Sequence, residues 1–192
     1  FHESDVREMG RTATGVRGMR IDEDGQDEVI GMLAMSKEDQ KTHTIMVVSE
    51  QGYGKRTNLN DKDEEGNDIF DEDGNIIPVY RITSRGGKGV KTLNITDKTG
   101  KLVSINSVTD DNDLMIINKS GITIRLKVSD IRTMGRATQG VRLINLGKRN
   151  DEIASVCKVD SEDEEDIELA EIELDEDTQN NSTLDENEEI NN

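Results

Sequence analysis

Apolar residues along this chain come in short runs that are separated by glycine-containing turns. Ile45 to Val48 form one such run and Leu114 to Ile117 another, followed by the turns Gln51-Gly52 and Ser120-Gly121. The runs are rich in β-branched residues, the chain has a single proline, and no stretch shows a convincing 3.6-residue period. This pattern predicts β-strands joined as hairpins, and hence an all-β fold.

A longer motif occurs three times in the chain. Residues 7–17 (REMGRTATGVR) recur as residues 132–142 (RTMGRATQGVR), with seven of the eleven positions identical, and residues 81–91 form a weaker copy. Repeats of this size are typical of propeller-like discs, so we predict repeated four-stranded blades of roughly 50 residues, about two and a half of them here. Because Phe1 aligns with Leu126 inside a strand, we expect further blades to precede it.

Charge is distributed very unevenly along the chain. The formal net charge is −18, yet residues 160–192 hold 16 acidic and no basic side chains, and residues 61–73 hold eight acids and one lysine. The remainder has 18 acidic and 23 basic side chains, a net charge of +5. We therefore predict a polyanion-binding β-domain over residues 1–159 with an acidic insertion near 61–79, followed by a disordered acidic tail at 160–192.

Three segments carry a resemblance to a known family. Residues 6–18 (VREMGRTATGVRG), 51–57 (QGYGKRT) and 131–143 (IRTMGRATQGVRL) resemble the last blades of the C-terminal domain of DNA gyrase A, a β-pinwheel followed by an acidic tail. The chain departs from the family pattern in two places. Residues 84–89 (SRGGKG) lack the first two residues of the gyrase box QRRGGKG, and the insertion near 61–79 suggests an extra acidic hairpin around Asp73-Gly74.

The resemblance implies a function for the domain. Such a domain binds, bends and wraps duplex DNA without sequence preference, as part of a type IIA topoisomerase that introduces negative supercoils using ATP. It implies a cytoplasmic protein whose partner in an A2B2 heterotetramer is gyrase B, and no membrane contact. Catalytic residues, ATP and Mg²⁺ would then belong to other parts of the holoenzyme, and no cofactor or metal is expected in this chain.

Basic residues at the repeat positions are the candidate DNA-binding residues. They accompany glycine turns, where the backbone can approach a phosphate while a neighbouring arginine makes bidentate contacts. The predicted set is Arg11, Arg17, Lys55, Arg56, Arg85, Lys88, Lys91, Arg125, Arg136 and Arg142.

Other interpretations stay open at this point. The C-terminal domain of topoisomerase IV is an alternative within the same family, and a β-repeat that binds proteins is an alternative from another class. A third interpretation, an independent enzyme, would need a set of catalytic residues that the sequence does not offer. Residues 86–92 do not meet the spacing of a phosphate-binding loop, and the calcium-loop spacing that begins at Asp61 has no flanking helices. Cys157, the single cysteine, is expected to be a buried strand residue.

Overall fold

The computed structural model describes residues 1–22, 27–146 and 151–160, and strands are its main regular elements. One short helix, α1 (Asp39–Thr42), and two 3-10 helices (Glu3–Asp5 and Val128–Asp130) accompany the strands. The strands are β1 (Thr44–Ser49), β2 (Tyr53–Asn58), β3 (Leu102–Val108), β4 (Asn112–Asn118), β5 (Thr123–Lys127), β6 (Val141–Arg142) and β7 (Ile153–Asp160). The predicted all-β fold is confirmed.

The first sheet has four strands in the order β3-β1-β2-β6. β1 and β2 form a hairpin through a turn at Gly52, whose φ of +74° lies in the left-handed region that favours glycine. β3 joins the other side of β1, antiparallel, with Val47 opposite Ile105. The prediction placed the four strands of a blade within roughly 50 consecutive residues, whereas this sheet draws them from positions 44 to 142. The reason is that the edge strands β3 and β6 arrive over long connections that carry the insertion and two repeat turns.

The second sheet has three strands within the described residues, in the order β5-β4-β7. β4 and β5 repeat the geometry of the first hairpin, because Met115 lies opposite Arg125 just as Met46 lies opposite Arg56. The aligned apolar runs are therefore equivalent in structure as well as in sequence. Cys157 lies in β7 as a strand residue, but the expectation that it is buried is wrong, since its thiol is exposed on this edge strand.

Both faces of β1 are buried, and this strand divides the core in two. Met46 and Val48 pack with residues of the second sheet, including Leu114 and Ile116, on one face. Ile45 and Val47 pack on the other face against Leu93, which comes from the connection that leads to β3. The hairpin β1-β2 is consequently a rigidly packed base on which a surface site can be built.

The described part of the chain ends where the predicted acidic tail begins. Asp160, the first residue of the predicted acidic tail, ends β7, and the rest of that tail lies outside the described residues. Within the described residues, no helix is long and apolar enough to cross a membrane.

Candidate nucleic-acid interface

Each copy of the repeated motif forms a β-turn closed at the same motif positions with an arginine second, although the third residue of the weaker copy is Gly86 with a left-handed φ of +74°. The backbone amide of Ala13 donates to the carbonyl of Gly10 at 3.0 Å, Gly87 donates to Ser84 at 3.3 Å, and Thr138 donates to Gly135 at 3.2 Å. The second residues of these turns are Arg11, Arg85 and Arg136. We refer to Gly10–Ala13, Ser84–Gly87 and Gly135–Thr138 as arginine turns 1, 2 and 3.

The motif also ends in the same way in each copy. Gly15, Gly89 and Gly140 occupy equivalent positions, and their φ angles of +86°, +77° and +79° all lie in the left-handed region. Two residues further along the chain stand the basic side chains of Arg17, Lys91 and Arg142, all exposed. Each repeat therefore presents two cations, one at the turn and one after the glycine.

Consecutive arginine turns are connected by an equivalent hydrogen bond. The amide of Arg20 donates to the carbonyl of Gly87 in arginine turn 2 at 2.9 Å, and the amide of Asn94 donates to the carbonyl of Thr138 in arginine turn 3 at 3.0 Å. Both donors lie nine residues after the arginine of the preceding turn, and both acceptors lie two residues after the arginine of the next. The three turns thus form a row, and the same hydrogen bond connects each turn to the next.

Hydrogen bonds to main-chain carbonyls restrain two of the turn arginines. Arg85 donates through Nε to the carbonyl of Asp5 at 2.8 Å, and the half-buried Arg136 donates through Nη1 to the carbonyl of Lys91 at 3.0 Å. Each retains further guanidinium nitrogens for a ligand, because an arginine has five N–H donors. Arg11 is exposed at its turn, and Lys88 is exposed beside arginine turn 2.

Lys55 does not reach the surface, and we assign it a structural contact in place of the predicted contact with DNA. Its side chain is completely buried, and Nζ donates to the carbonyls of Gly135 and Arg136, both at 2.6 Å, and to Thr138 Oγ1 at 3.1 Å. Burial, together with the positive charge of Arg136, lowers the pKa of Lys55 to about 8. Below that pH the buried ammonium reduces the stability of the fold, and the penalty diminishes as pH rises from about 8 toward the ordinary lysine pKa.

Arg56 is likewise engaged inside the fold. Only 8% of the residue is exposed, Nε donates to the carbonyl of Ile131, and Nη1 forms an ion pair with Asp110. Arg56 therefore links β2 to the segment that leads into arginine turn 3. The position of Arg56 in the motif did not reveal its burial. Adjacent strand residues point to opposite faces of a sheet, and sequence spacing alone does not show whether another segment covers either face.

The remaining two candidates are held by neighbours at the surface. Arg125 pairs through Nε with the buried carboxylate of Asp113 at 2.6 Å, and its side chain is 37% exposed. Arg142 lies over the ring of Tyr53, 5.4 Å from the centroid, and donates through Nη2 to the phenol oxygen at 3.0 Å. That hydrogen bond lowers the pKa of Tyr53. Arg142 is thus a fixed exposed cation, whereas Arg125 also neutralises a buried acid.

Sequence reasoning missed several exposed basic residues near the arginine turns. Arg7, Arg81 and Arg132 stand four positions before the turn arginines in the three copies, and all are exposed. The repeat alignment itself shows a basic residue at this position in all three copies, so these arginines could have been predicted. Lys98 was not detectable in that way, because it reaches the Tyr53 ring at 5.4 Å from a segment with no repeat signature.

The acidic insertion forms two similar tight turns. Phe70 lies antiparallel to Ile76 around a turn in which the amide of Gly74 donates to the carbonyl of Asp71 at 3.1 Å, as the predicted hairpin around Asp73-Gly74 requires. The second turn, which the sequence analysis did not identify, repeats this bond from Gly66 to Asp63 at 3.1 Å.

Hydrogen bonds from the backbone amides of Asn67 and Asn75 lower the pKa of Asp63 and of Asp71, which keeps these carboxylates ionised. Within the described parts of the chain, no three His, Cys, Asp or Glu side chains are grouped so that they could hold a metal ion. The insertion is therefore an anionic element at the surface, built from two turns of the same kind.

Known proteins resemble this chain in sequence and in fold. The sequence profile described as DNA gyrase C-terminal domain, beta-propeller, matches residues 1–34, 43–61, 79–109 and 112–158, and so leaves residues 62–78 of the insertion unmatched. The DNA gyrase A protein of Staphylococcus aureus (strain NCTC 8325 / PS 47) is 42% identical over 186 residues, which are 97% of this chain and 18% of the relative. The chain thus spans less than a fifth of the length of this relative.

Two solved structures resemble the fold. The C-terminal domain of DNA topoisomerase IV aligns with a TM-score of 0.65 and 23% identity over 89% of this chain and 46% of that one. The DNA gyrase A C-terminal domain aligns with a TM-score of 0.56 and 25% identity over 81% of this chain and 45% of that one. The fold and the sequence profile agree with the repeated arginine turns, and the chain belongs to the DNA gyrase C-terminal domain family of β-propellers.

Proposed function

We propose that the chain binds duplex DNA through its arginine turns and bends it along their row, without sequence preference, as part of a DNA gyrase A protein. The observation that carries this proposal is the repeated geometry. Three equivalent turns each present an arginine, and the two steps between them are made by the same hydrogen bond. A ligand with regularly spaced anionic groups matches such a row, and the DNA backbone is a ligand of this kind.

The chemistry of the row favours contacts with phosphates over contacts with bases. Arginine guanidinium groups and turn amides bind phosphate oxygens, which position DNA without reading its sequence. Aromatic residues make up only 2% of the chain, and Tyr53, which is 6% exposed, is covered by Arg142 and Lys98. Single strands, which depend on base stacking, are therefore expected to bind less well than duplexes.

The wider assembly belongs to the same proposal. The 42% identity to a gyrase A protein favours a gyrase A role over that of topoisomerase IV, whose structure is 23% identical. The whole enzyme would pair gyrase A with gyrase B in an A2B2 heterotetramer and use ATP to introduce negative supercoils. Strand cleavage, ATP and Mg²⁺ would then reside outside this chain, which would supply the bent DNA segment.

Binding of duplex DNA by the full-length protein is expected to be strongly salt-dependent. Seven of the predicted cations are exposed or half-buried in the three repeats and form no ion pair with an acid of the described residues: Arg11, Arg17, Arg85, Lys88, Lys91, Arg136 and Arg142. At a slope of about −0.9 for each phosphate neutralised, a plot of log affinity against log salt concentration should have a slope of about −6.

Fluorescence titrations with a random-sequence duplex at several salt concentrations measure this slope. A single strand of equal length serves as the control and should bind more weakly. A slope near zero, or a strong preference for one duplex sequence, would be incompatible with phosphate wrapping.

A further inference from the structure

A buried lysine lies directly beneath arginine turn 3. All three donors of the Lys55 ammonium are used on that turn, two by the carbonyls of Gly135 and Arg136 and one by the hydroxyl of Thr138. These acceptors come from a segment 80 to 83 residues away in sequence. Lys55 therefore connects the rigid β1-β2 hairpin to the loop that presents Arg136.

Packing alone does not require a lysine at this position. In the second sheet the equivalent residue is Ile124, because Arg56 aligns with Arg125 and the residue before each occupies the same place in its strand. Ile124 packs against the hydrophobic core. An ammonium in the same place has to be desolvated, which is unfavourable unless its hydrogen bonds are all made. A costly polar residue where an apolar one would fit is expected at functional sites.

Arg136 is held at two points. Its main-chain carbonyl accepts from Lys55, while its guanidinium donates to the carbonyl of Lys91 at 3.0 Å. The first contact fixes the backbone of the turn, and the second directs the side chain along the row toward the preceding repeat. Loss of the first contact would free the turn and let the guanidinium move, even though Arg136 itself would remain.

We propose that Lys55 is a positioning residue for DNA binding, which fixes arginine turn 3 so that Arg136 meets a phosphate in register with the other two turns. The inference rests on the proposed function of the row. A positioning role for Lys55 differs from a purely structural role in one measurable respect. Loss of Lys55 should cost the contribution of Arg136 in particular, and should leave the contribution of Arg11 in turn 1 unchanged.

A double-mutant cycle in the full-length protein tests this proposal. We expect K55M, which keeps an unbranched side chain one atom shorter and removes its donors, to weaken duplex binding about threefold to tenfold and to make the salt slope less steep by about 1, as the loss of one phosphate contact does. R136A should have little further effect in the K55M background, whereas R11A should have its full effect in both backgrounds. Additive effects of K55M and R136A, or unchanged binding by K55M, would overturn the proposal.

A second variant keeps the test decisive if K55M does not fold. T138V keeps the shape of the side chain but removes one of the three acceptors of Lys55, together with the hydrogen bond that the hydroxyl donates to the carbonyl of Gly135 at 2.8 Å. It should therefore weaken binding in the same direction as K55M by a smaller factor and couple to R136A. Full additivity of T138V and R136A would overturn the proposal. If the wild-type protein itself shows no salt-dependent duplex binding, the proposed function fails. If the wild type binds as expected and neither variant couples to R136A, only the role of Lys55 fails.

Discussion

Replacing Arg11, Arg85 and Arg136 together with alanine is expected to abolish DNA wrapping and supercoiling by the full-length enzyme, while DNA cleavage survives. Each substitution removes the guanidinium of one arginine turn. Bending a 20–30 base-pair segment by 40–90° costs on the order of 1–6 kcal/mol, which the contacts along the row have to offset. Losing three of about seven phosphate contacts leaves binding possible and bending unfavourable, and the salt slope should change from about −6 to about −4.

A matched variant separates position from charge. Lys37, Lys127 and Lys158 are exposed and lie outside the arginine turns, so the triple alanine variant at these positions loses the same total charge. We expect it to supercoil DNA at close to the wild-type rate. Plasmid supercoiling and drug-trapped cleavage would be assayed side by side for both variants. Equal loss of supercoiling in the two, or loss of cleavage in the arginine variant, would refute the assigned role of the turns.

G140A is expected to destabilise the domain far more than G15A, although the two glycines occupy equivalent positions in the repeat. Both have a left-handed backbone, with φ of +79° and +86°, which costs an alanine roughly 1–2 kcal/mol. At Gly140 an added Cβ would also lie 2.6 Å from the carbonyl oxygen of Gly54, whereas at Gly15 it meets nothing within 4 Å. Since a backbone carbonyl in a sheet cannot move aside cheaply, we expect a total cost of at least about 3 kcal/mol for G140A.

Chemical denaturation of the two variants and the wild type gives the free energies of unfolding. G15A is the control for backbone strain, and the difference between the variants reports the steric contact with β2. If the two variants were equally destabilised, β6 would not be packed against β2 as described.

The hairpins and the repeat turns were predictable from sequence because local chemistry determines them. Short β-branched runs followed by Gly52 and Gly121 indicate hairpins, and both glycines have positive φ in the structure. The spacing of arginine and glycine in residues 7–17, 81–91 and 132–142 likewise corresponds to three equivalent turns. In such cases a glycine is needed for backbone geometry, and its position in the sequence identifies the turn.

Long-range packing was not predictable in the same way. No local signal indicates that β3 joins β1 over a connection of more than 50 residues, because that pairing depends on which edge of the hairpin stays uncovered. For the same reason Lys55 and Arg56 looked like surface cations within the motif, although arginine turn 3 and the segment before it cover both side chains. Burial depends on distant segments, and a single sequence does not show where these lie.

The most direct test of the account is the linking number of a nicked plasmid that is ligated while the full-length protein is bound. Wrapping around a row of turns with one handedness constrains the path of the DNA, so ligation followed by removal of the protein should yield topoisomers displaced in one direction, in proportion to the amount bound. The variant without Arg11, Arg85 and Arg136 should give little displacement at equal occupancy. An unchanged topoisomer distribution at saturating wild-type protein would contradict the claim that this domain bends DNA into a wrap.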